Sequence, residues 1–232
     1  MQEPILYFYK KLGINTSLIK ELVCGDKYVA ILLNNGNIGV CSTLQTSIEL
    51  CISDLNSFDI TINSHRIVVT AYYNALLNYD QEYSKYIDIF DEVEFSEYRN
   101  IVMIGFFGSL TEKFRKASIN LSIFDLESNN EEIVDIKKQK EYIAKADVVI
   151  LTSTTVFNNT FIDIVNSTSN QCKVFTLGPS TILSTDMFKY KNIHTIFGSV
   201  FKKNDTELLN IIRNGGGTKS FLHLMKKVCL DN

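Results

Sequence analysis

At 232 residues, 45% of them hydrophobic and 21% charged, the chain has the composition of a globular protein with room for two modest domains or one large one. Its 23 Lys and Arg against 26 Asp and Glu leave a formal net charge of −3, which argues against nucleic acid as a partner. No apolar run approaches the roughly 20 residues that span a bilayer, and Met1-Gln2-Glu3-Pro4 opens no basic leader, so no membrane partner is expected and the expected compartment is the cytoplasm.

In chain order, Leu6–Leu12 and Leu18–Leu22 read as pieces of an opening helix and its sequel. Tyr28–Leu33 and Ile38–Cys41 are strand-like, and Asn34-Asn35-Gly36-Asn37 between them is a hairpin signal. Val68–Leu77 reads as a helix, with Ala71, Ala75 and Leu76 spaced to share a face. Together these make a small α+β unit. The segment Asp80–Asn100, rich in Tyr, Asp and Glu, is expected to hold a short helix and the crossing to a second unit. The boundary is expected near Phe95–Arg99, giving domains of residues 1–97 and 98–232.

Beyond it, five short apolar runs each end in small, polar or acidic residues. Ile101–Phe106 runs into Gly105-Phe106-Phe107-Gly108-Ser109, and Leu121–Phe124 into Asp125. Val148–Leu151 ends in Thr152-Ser153-Thr154-Thr155, Val174–Leu177 in Gly178-Pro179-Ser180-Thr181, and Ile193–Phe197 in Gly198-Ser199. The helix-like segments Leu110–Ala117, Glu131–Ala146, Asn159–Asn166 and Asp205–Arg213 alternate with them. This is the pattern of an α/β fold with a doubly wound parallel sheet, whose ligand loops gather at the carboxyl ends of the strands. The expected order runs second, first, third, fourth, fifth, because only one helical segment separates Asp125 from Val148. After Gly215-Gly216-Gly217, Thr218 is placed to cap a last helix, Lys219–Val228.

The first loop suits an anion at a helix N-terminus, with Gly105 and Gly108 allowing close approach of the backbone; a plain strand-to-helix turn is the other reading. The spacing is Gly-x-x-Gly, so neither the dinucleotide fingerprint nor the P-loop is present. Asp125, at the end of the second strand, stands where a carboxylate would hold a ribose, with Glu127 beside it; a solvated loop carboxylate reads equally well. The hydroxyls of the third loop, with Asn158-Asn159-Thr160, suit a polar ligand or a helix cap. Pro179 and Gly178 give the fourth loop a fixed shape. The histidines His65, His194 and His223 are scattered, and the lysine groups Lys137-Lys138, Lys202-Lys203 and Lys226-Lys227 read as solvated surface. Cys24, Cys41, Cys51, Cys172 and Cys229, with no Cys-x-x-Cys pair, read as free and mostly buried thiols.

Taken together, these loops resemble a known family. Ala146–Thr160 is similar to its ADVVIxTxTTxxNxT segment, Gly178-Pro179-Ser180-Thr181 to its GPST loop, and Gly215-Gly216-Gly217-Thr218 to its GGGT. This is the heavy-metal chelation domain family, a domain of unknown function. The N-terminal part resembles that family's usual partner domain, similar in fold to the N-terminal domain of enolases, through Ala71–Asn78, which matches an A-x-x-N-A-x-x-N helix, and through the glycine-bearing hairpin of Gly36 and Gly39. The family's first loop often carries a Gly-x-x-Pro-like turn, where this chain has Gly108-Ser109.

The resemblance implies a Rossmann-like C-terminal domain with a site at the junction of the two domains. The expected occupant is a small molecule, and the expected cofactor a metal ion carried by an organic chelator, because few soft or imidazole ligands are at hand. Asn74 is expected to face the loop edge. Gly105, Phe107, Gly108 and Asp125 come from the first two loops, Thr154, Thr155 and Asn159 from the third, Gly178, Pro179, Ser180 and Thr181 from the fourth, and Gly216, Gly217 and Thr218 close the site. The alternative is an enzyme acting on a nucleotide-like or pterin-like substrate in the same crevice, with Asp125 on a ribose and Asp147 or Glu127 moving a proton. A homo-oligomer is compatible with either.

Overall fold

The computed structural model describes residues 1–81, 83, 87–126 and 130–232. Helix α1 (Pro4–Leu12) is followed by β1 (Ile19–Cys24), β2 (Tyr28–Leu33) and β3 (Ile38–Ser42), then by α2 (Asn63–Leu77) and the single turn α3 (Ile89–Glu92). The alternating part comprises β4 (Ile101–Ile104), α4 (Gly108–Lys116), β5 (Ser122–Phe124), α5 (Gln139–Lys145), β6 (Val148–Thr152), α6 (Phe161–Ser167), β7 (Lys173–Leu177) and β8 (Ile193–Val200). The chain closes with α7 (Thr206–Arg213), the short α8 (Thr218–Phe221) and β9 (Lys226–Asp231). Strands β1, β2 and β3 form an antiparallel sheet in that order. The second sheet has six strands in the order β5-β4-β6-β7-β8-β9, all parallel except β9. The protein is therefore a mixed α/β fold, and its five parallel strands follow the expected order.

The apolar runs are continuous because both faces of the parallel sheet are covered. Val102, Ile104, Val149, Leu151, Val174 and Ile196 join the core on one face, with α5, α6 and α2. Ile101, Met103, Val148, Ile150, Phe175 and Phe197 pack on the other, against Leu110 and Phe114 of α4 and against Ile89 and Phe95. Period-two alternation of the side chains sends neighbours along each strand to opposite cores.

The small sheet is also buried on both sides, and every residue of β2 is buried. One face meets α1 and α2 through Val29, Ile31 and Leu33. The other receives Leu208, Leu209 and Ile212 of α7, with Phe201 and Phe221. The chain thus leaves the large sheet after β8, packs on the small one, and returns as β9. Where a helix Lys219–Val228 was expected, only the turn of α8 and a 3₁₀ turn, Leu222–Leu224, form before β9 begins. Buried Val228 and Leu230 alternate with half-buried Lys227 and Cys229 and exposed Asp231, and this period of two pairs β9 with β8 from Val200↔Lys226 to Thr195↔Asp231. Leu18–Leu22 likewise leads into β1 rather than extending a helix. No helix among the described residues is long and apolar enough to cross a membrane. None of the five cysteines forms a disulfide, and Cys51 is exposed.

Helix α2 is buried all round from Arg66 to Ala75. Its backbone rests on β3 at Gly39: a Cβ there would lie 2.1 Å from the Ala71 carbonyl oxygen and 2.2 Å from the Ala75 nitrogen. Gly39, Ala71 and Ala75 are small enough to let helix and strand touch. Asn74, expected at the ligand site, instead donates its amide to the Val40 carbonyl at 2.9 Å, and Asn37 donates to the Ala75 carbonyl at 3.2 Å. Asn74 thus braces the helix on its own sheet. Gly39→Ala should cost about 1–3 kcal/mol or more through overpacking, and Asn74→Ala about 1–3 kcal/mol through the orphaned Val40 carbonyl; urea unfolding of both variants measures these losses.

Candidate functional site

Strand β4 lies between β5 and β6, so the chain switches direction across the sheet at β4 and β6, and their carboxyl ends diverge to leave a crevice. A cavity of about 580 Å³ opens there. Residues 106–110 after β4, Thr152–Thr154 after β6 and Leu177–Ser180 after β7 border it. Tyr28 and Ser42 of the small sheet form part of the wall, and Thr218, Leu222 and Met225 complete it.

Each loop is held by its own hydrogen bonds. Gly105 adopts φ 93°, where a side chain would be strained and where a Cβ would press on Thr152 at 2.8 Å. Beside it the Phe106 N–H donates to Asp125 at 2.8 Å. Asp125 therefore braces the first loop and does not line the cavity. Thr152 and Thr154 share a hydroxyl hydrogen bond of 3.0 Å at the cavity wall, while Thr155 is buried and donates to the Thr152 carbonyl at 2.7 Å. Ser153 and Thr181 bond through their hydroxyls, and Thr181 also donates to the Phe197 carbonyl at 2.9 Å. The third and fourth loops are thereby tied together behind the cavity.

Helix α2 ties them again from the other side. Arg66 is 5% exposed, pairs with Glu3, and donates to the carbonyls of Val156 at 2.9 Å and Phe157 at 2.5 Å, just after the third loop. Asn78, at the C-terminal end of α2, donates to the Thr181 carbonyl at 2.9 Å and accepts from the Leu183 N–H at 2.8 Å. Ser180 accepts from the Ser42 N–H at 2.9 Å, and the hydroxyls of Tyr28 and Thr218 lie 2.8 Å apart. Burial raises the Tyr28 phenol to about 12, against the lowering effect of its bond to Thr218, so it stays protonated and able to donate at neutral pH.

Of the expected site residues, Phe107, Gly108, Thr154, Gly178, Pro179, Ser180 and Thr218 line the cavity. Asn74, Gly105, Asp125, Thr155 and Thr181 stand behind it as braces. Asn159 is exposed with φ 65°, a turn residue outside the cavity. Gly216 and Gly217 also lie outside it, and Gly217 sits at the N-terminal cap position of α8. Asp147 lies before β6, at the opposite end of the strands, and accepts from the Arg99 and Asn100 N–H groups at 3.0 and 2.9 Å. Glu127 lies outside the described residues.

Four charged groups at the cavity escaped the sequence reading. Lys113 of α4 donates to Asp88 at 2.9 Å, and Lys227 of β9 at 2.5 Å. Asp88 also accepts from the Phe90 N–H at 3.1 Å, capping α3. Lys219 stands exposed at the rim. Lys227, expected as solvated surface, is 43% exposed but ion-paired at the cavity. Burial acts to raise the Asp88 carboxyl, but its bonds to Lys227, Lys113 and Phe90 outweigh this and hold it at about 2.

A carboxyl held below its ordinary 3.8 contributes stability that is complete above that value and is lost as pH falls through about 2. Asp88→Asn should remove this contribution. The variant should then lose less stability than the wild type between about pH 4 and about pH 2, as followed by urea unfolding across that range.

The comparisons agree with this architecture. A crystal structure of a DUF364 protein of unknown function from Desulfitobacterium hafniense DCB-2 superposes with a TM-score of 0.75 at 18% identity, covering 98% of each chain. A second protein of unknown function from that family, from Pyrococcus horikoshii, gives a TM-score of 0.78 at 16% identity over 92% of this chain and 93% of its own. At such identities the likeness is one of fold. No curated protein matches the chain in sequence. The family model of DUF364, described as "Putative heavy-metal chelation", matches residues 88–231, and the chain belongs to that family.

Proposed function

We propose that the protein is a cytoplasmic small-molecule-binding protein that handles a metal in chelated form, with the ligand held in the crevice between the small sheet and the loops of the large one. On this reading residues 1–97 are the enolase-N-terminal-like partner domain and residues 98–232 the Rossmann-like chelation domain. The observation that carries it is the 580 Å³ cavity at the switch point, walled by the hydroxyls of Ser109, Thr152, Thr154 and Thr218 and by the rings of Phe106 and Phe107.

These residues do not suit a bare heavy-metal ion. The described lining offers one carboxylate, Asp88, already bonded to two lysines, and one thioether, Met225. Among the described residues no three His, Cys, Asp or Glu side chains converge. Hydroxyls and ammonium groups suit the oxygen atoms of an organic chelator instead, so the metal would enter with its coordination already supplied. The enzymatic alternative is less well supported, since Asp125 and Asp147, its two described carboxylates, are both engaged by backbone N–H groups.

Native mass spectrometry with elemental analysis of freshly purified protein tests the reading. The expected result is a bound organic mass, with any metal released together with it on unfolding. Gly108→Leu should abolish retention, because it adds a side chain to the cavity wall where a Cβ would meet only the Phe106 ring, at 3.4 Å, and so leaves the fold intact. Metal retained without an organic partner, or an organic mass retained by this variant, would refute the proposal.

A further inference from the structure

The charge of the cavity narrows its occupant. Three lysines, Lys113, Lys219 and Lys227, line it against the single described carboxylate Asp88. Asp91 of α3, outside the lining, lies 3.9 Å from Lys113, so the cluster holds a surplus of one positive charge at the mouth of the cavity, in a chain whose net charge is −3. Lys113 and Lys227 arrive from separate elements, α4 and β9, and converge on the same carboxylate. Asp88 and Asp91 balance these two lysines, whose side chains stay 39% and 43% exposed, so the charge left uncompensated is that of Lys219 at the rim. Each ammonium carries three donors, and Asp88 takes one from each, so donors remain for a second acceptor. Lys219 has no ion-pair partner among the described residues. The first turn of α4 also lines the cavity, and no side chain caps it.

The apolar part of the lining lies beside these charges. Phe106 and Phe107 line the wall, and the Phe107 ring passes within 3.9 Å of where a Cβ of Gly178 would stand. We infer that the cavity takes an organic anion, with an acidic group set against Lys113 and Lys227 and an unsaturated or aromatic body against Phe106 and Phe107. This rests on the reading of the cavity as a small-molecule site and adds to it the charge and shape of what enters.

The test uses a matched pair of fluorescent probes, anilinonaphthalene sulfonate and phenylnaphthylamine, which share their rings and differ by the sulfonate. The wild-type chain should bind the sulfonate roughly tenfold more tightly than the neutral amine at low salt, as expected for an added attraction between partly screened charges, and the gap should close as salt rises. Lys219→Gln, at an exposed position with no fold role, and Lys113→Gln, which leaves Asp88 its Lys227 partner, should each weaken the sulfonate several-fold and leave the amine unchanged. Gly108→Leu should weaken both probes. Equal affinity of the wild type for the two probes, or lysine variants that bind the sulfonate as tightly as the wild type, would overturn the anion inference while leaving the cavity as the site. Failure of both probes to bind, or binding of both untouched by Gly108→Leu, would instead refute the cavity itself.

Discussion

Helix α2 touches β3 backbone to backbone at Gly39, and the geometry of the cavity depends on that contact. The approach sets the height of the helix above the small sheet. From that height Arg66 reaches the segment after β6 and Asn78 reaches the segment after β7. Two loops of the large sheet are therefore positioned by a helix that belongs to the small one. The hydroxyl bond between Ser153 and Thr181 then fixes the loops to each other. A site built this way is held from behind by buried hydrogen bonds, and its exposed hydroxyls are left for a ligand.

The division of labour within each loop follows from this. In the third loop Thr155 satisfies the backbone while Thr152 and Thr154 face the opening. In the fourth, Thr181 is spent on three carbonyl and hydroxyl partners while Gly178 and Pro179 shape the wall. Dense runs of Thr and Ser thus serve two ends, because a loop leaving a buried strand carries backbone groups that must be paired locally before any side chain is free.

Most of the scaffold was legible in the sequence because its causes are local. Unbroken runs such as Val148–Leu151 report strands covered on both faces, and the residues that follow them report the edge where a ligand binds. What escaped is what long-range contact decides. Asn74 and Asn78 lie four residues apart on one helix face and read alike, yet one meets β3 and the other the fourth loop. Lys226-Lys227 reads as solvated surface because Asp88 lies 139 residues away in the chain. Strand β9 was masked by the Gly-Thr helix signal before it, although the spacing of Val228 and Leu230 carries the period of a strand. Asp125 does follow the second strand, but it accepts from a backbone N–H, which no side-chain pattern announces.

The path of the last segment has a consequence for synthesis on the ribosome. The face of the small sheet formed by Val23, Tyr28, Ala30, Leu32, Ile38 and Val40 is covered by residues that emerge well over a hundred positions after it, from Phe201 to Phe221. Until then the nascent chain carries an uncovered apolar patch alongside a parallel sheet that lacks β9 at its edge. Both are features that invite association with other chains. That face stays open until this segment is made, and a nascent chain stalled before Phe201 should be a substrate for chaperones rather than a working half of the protein.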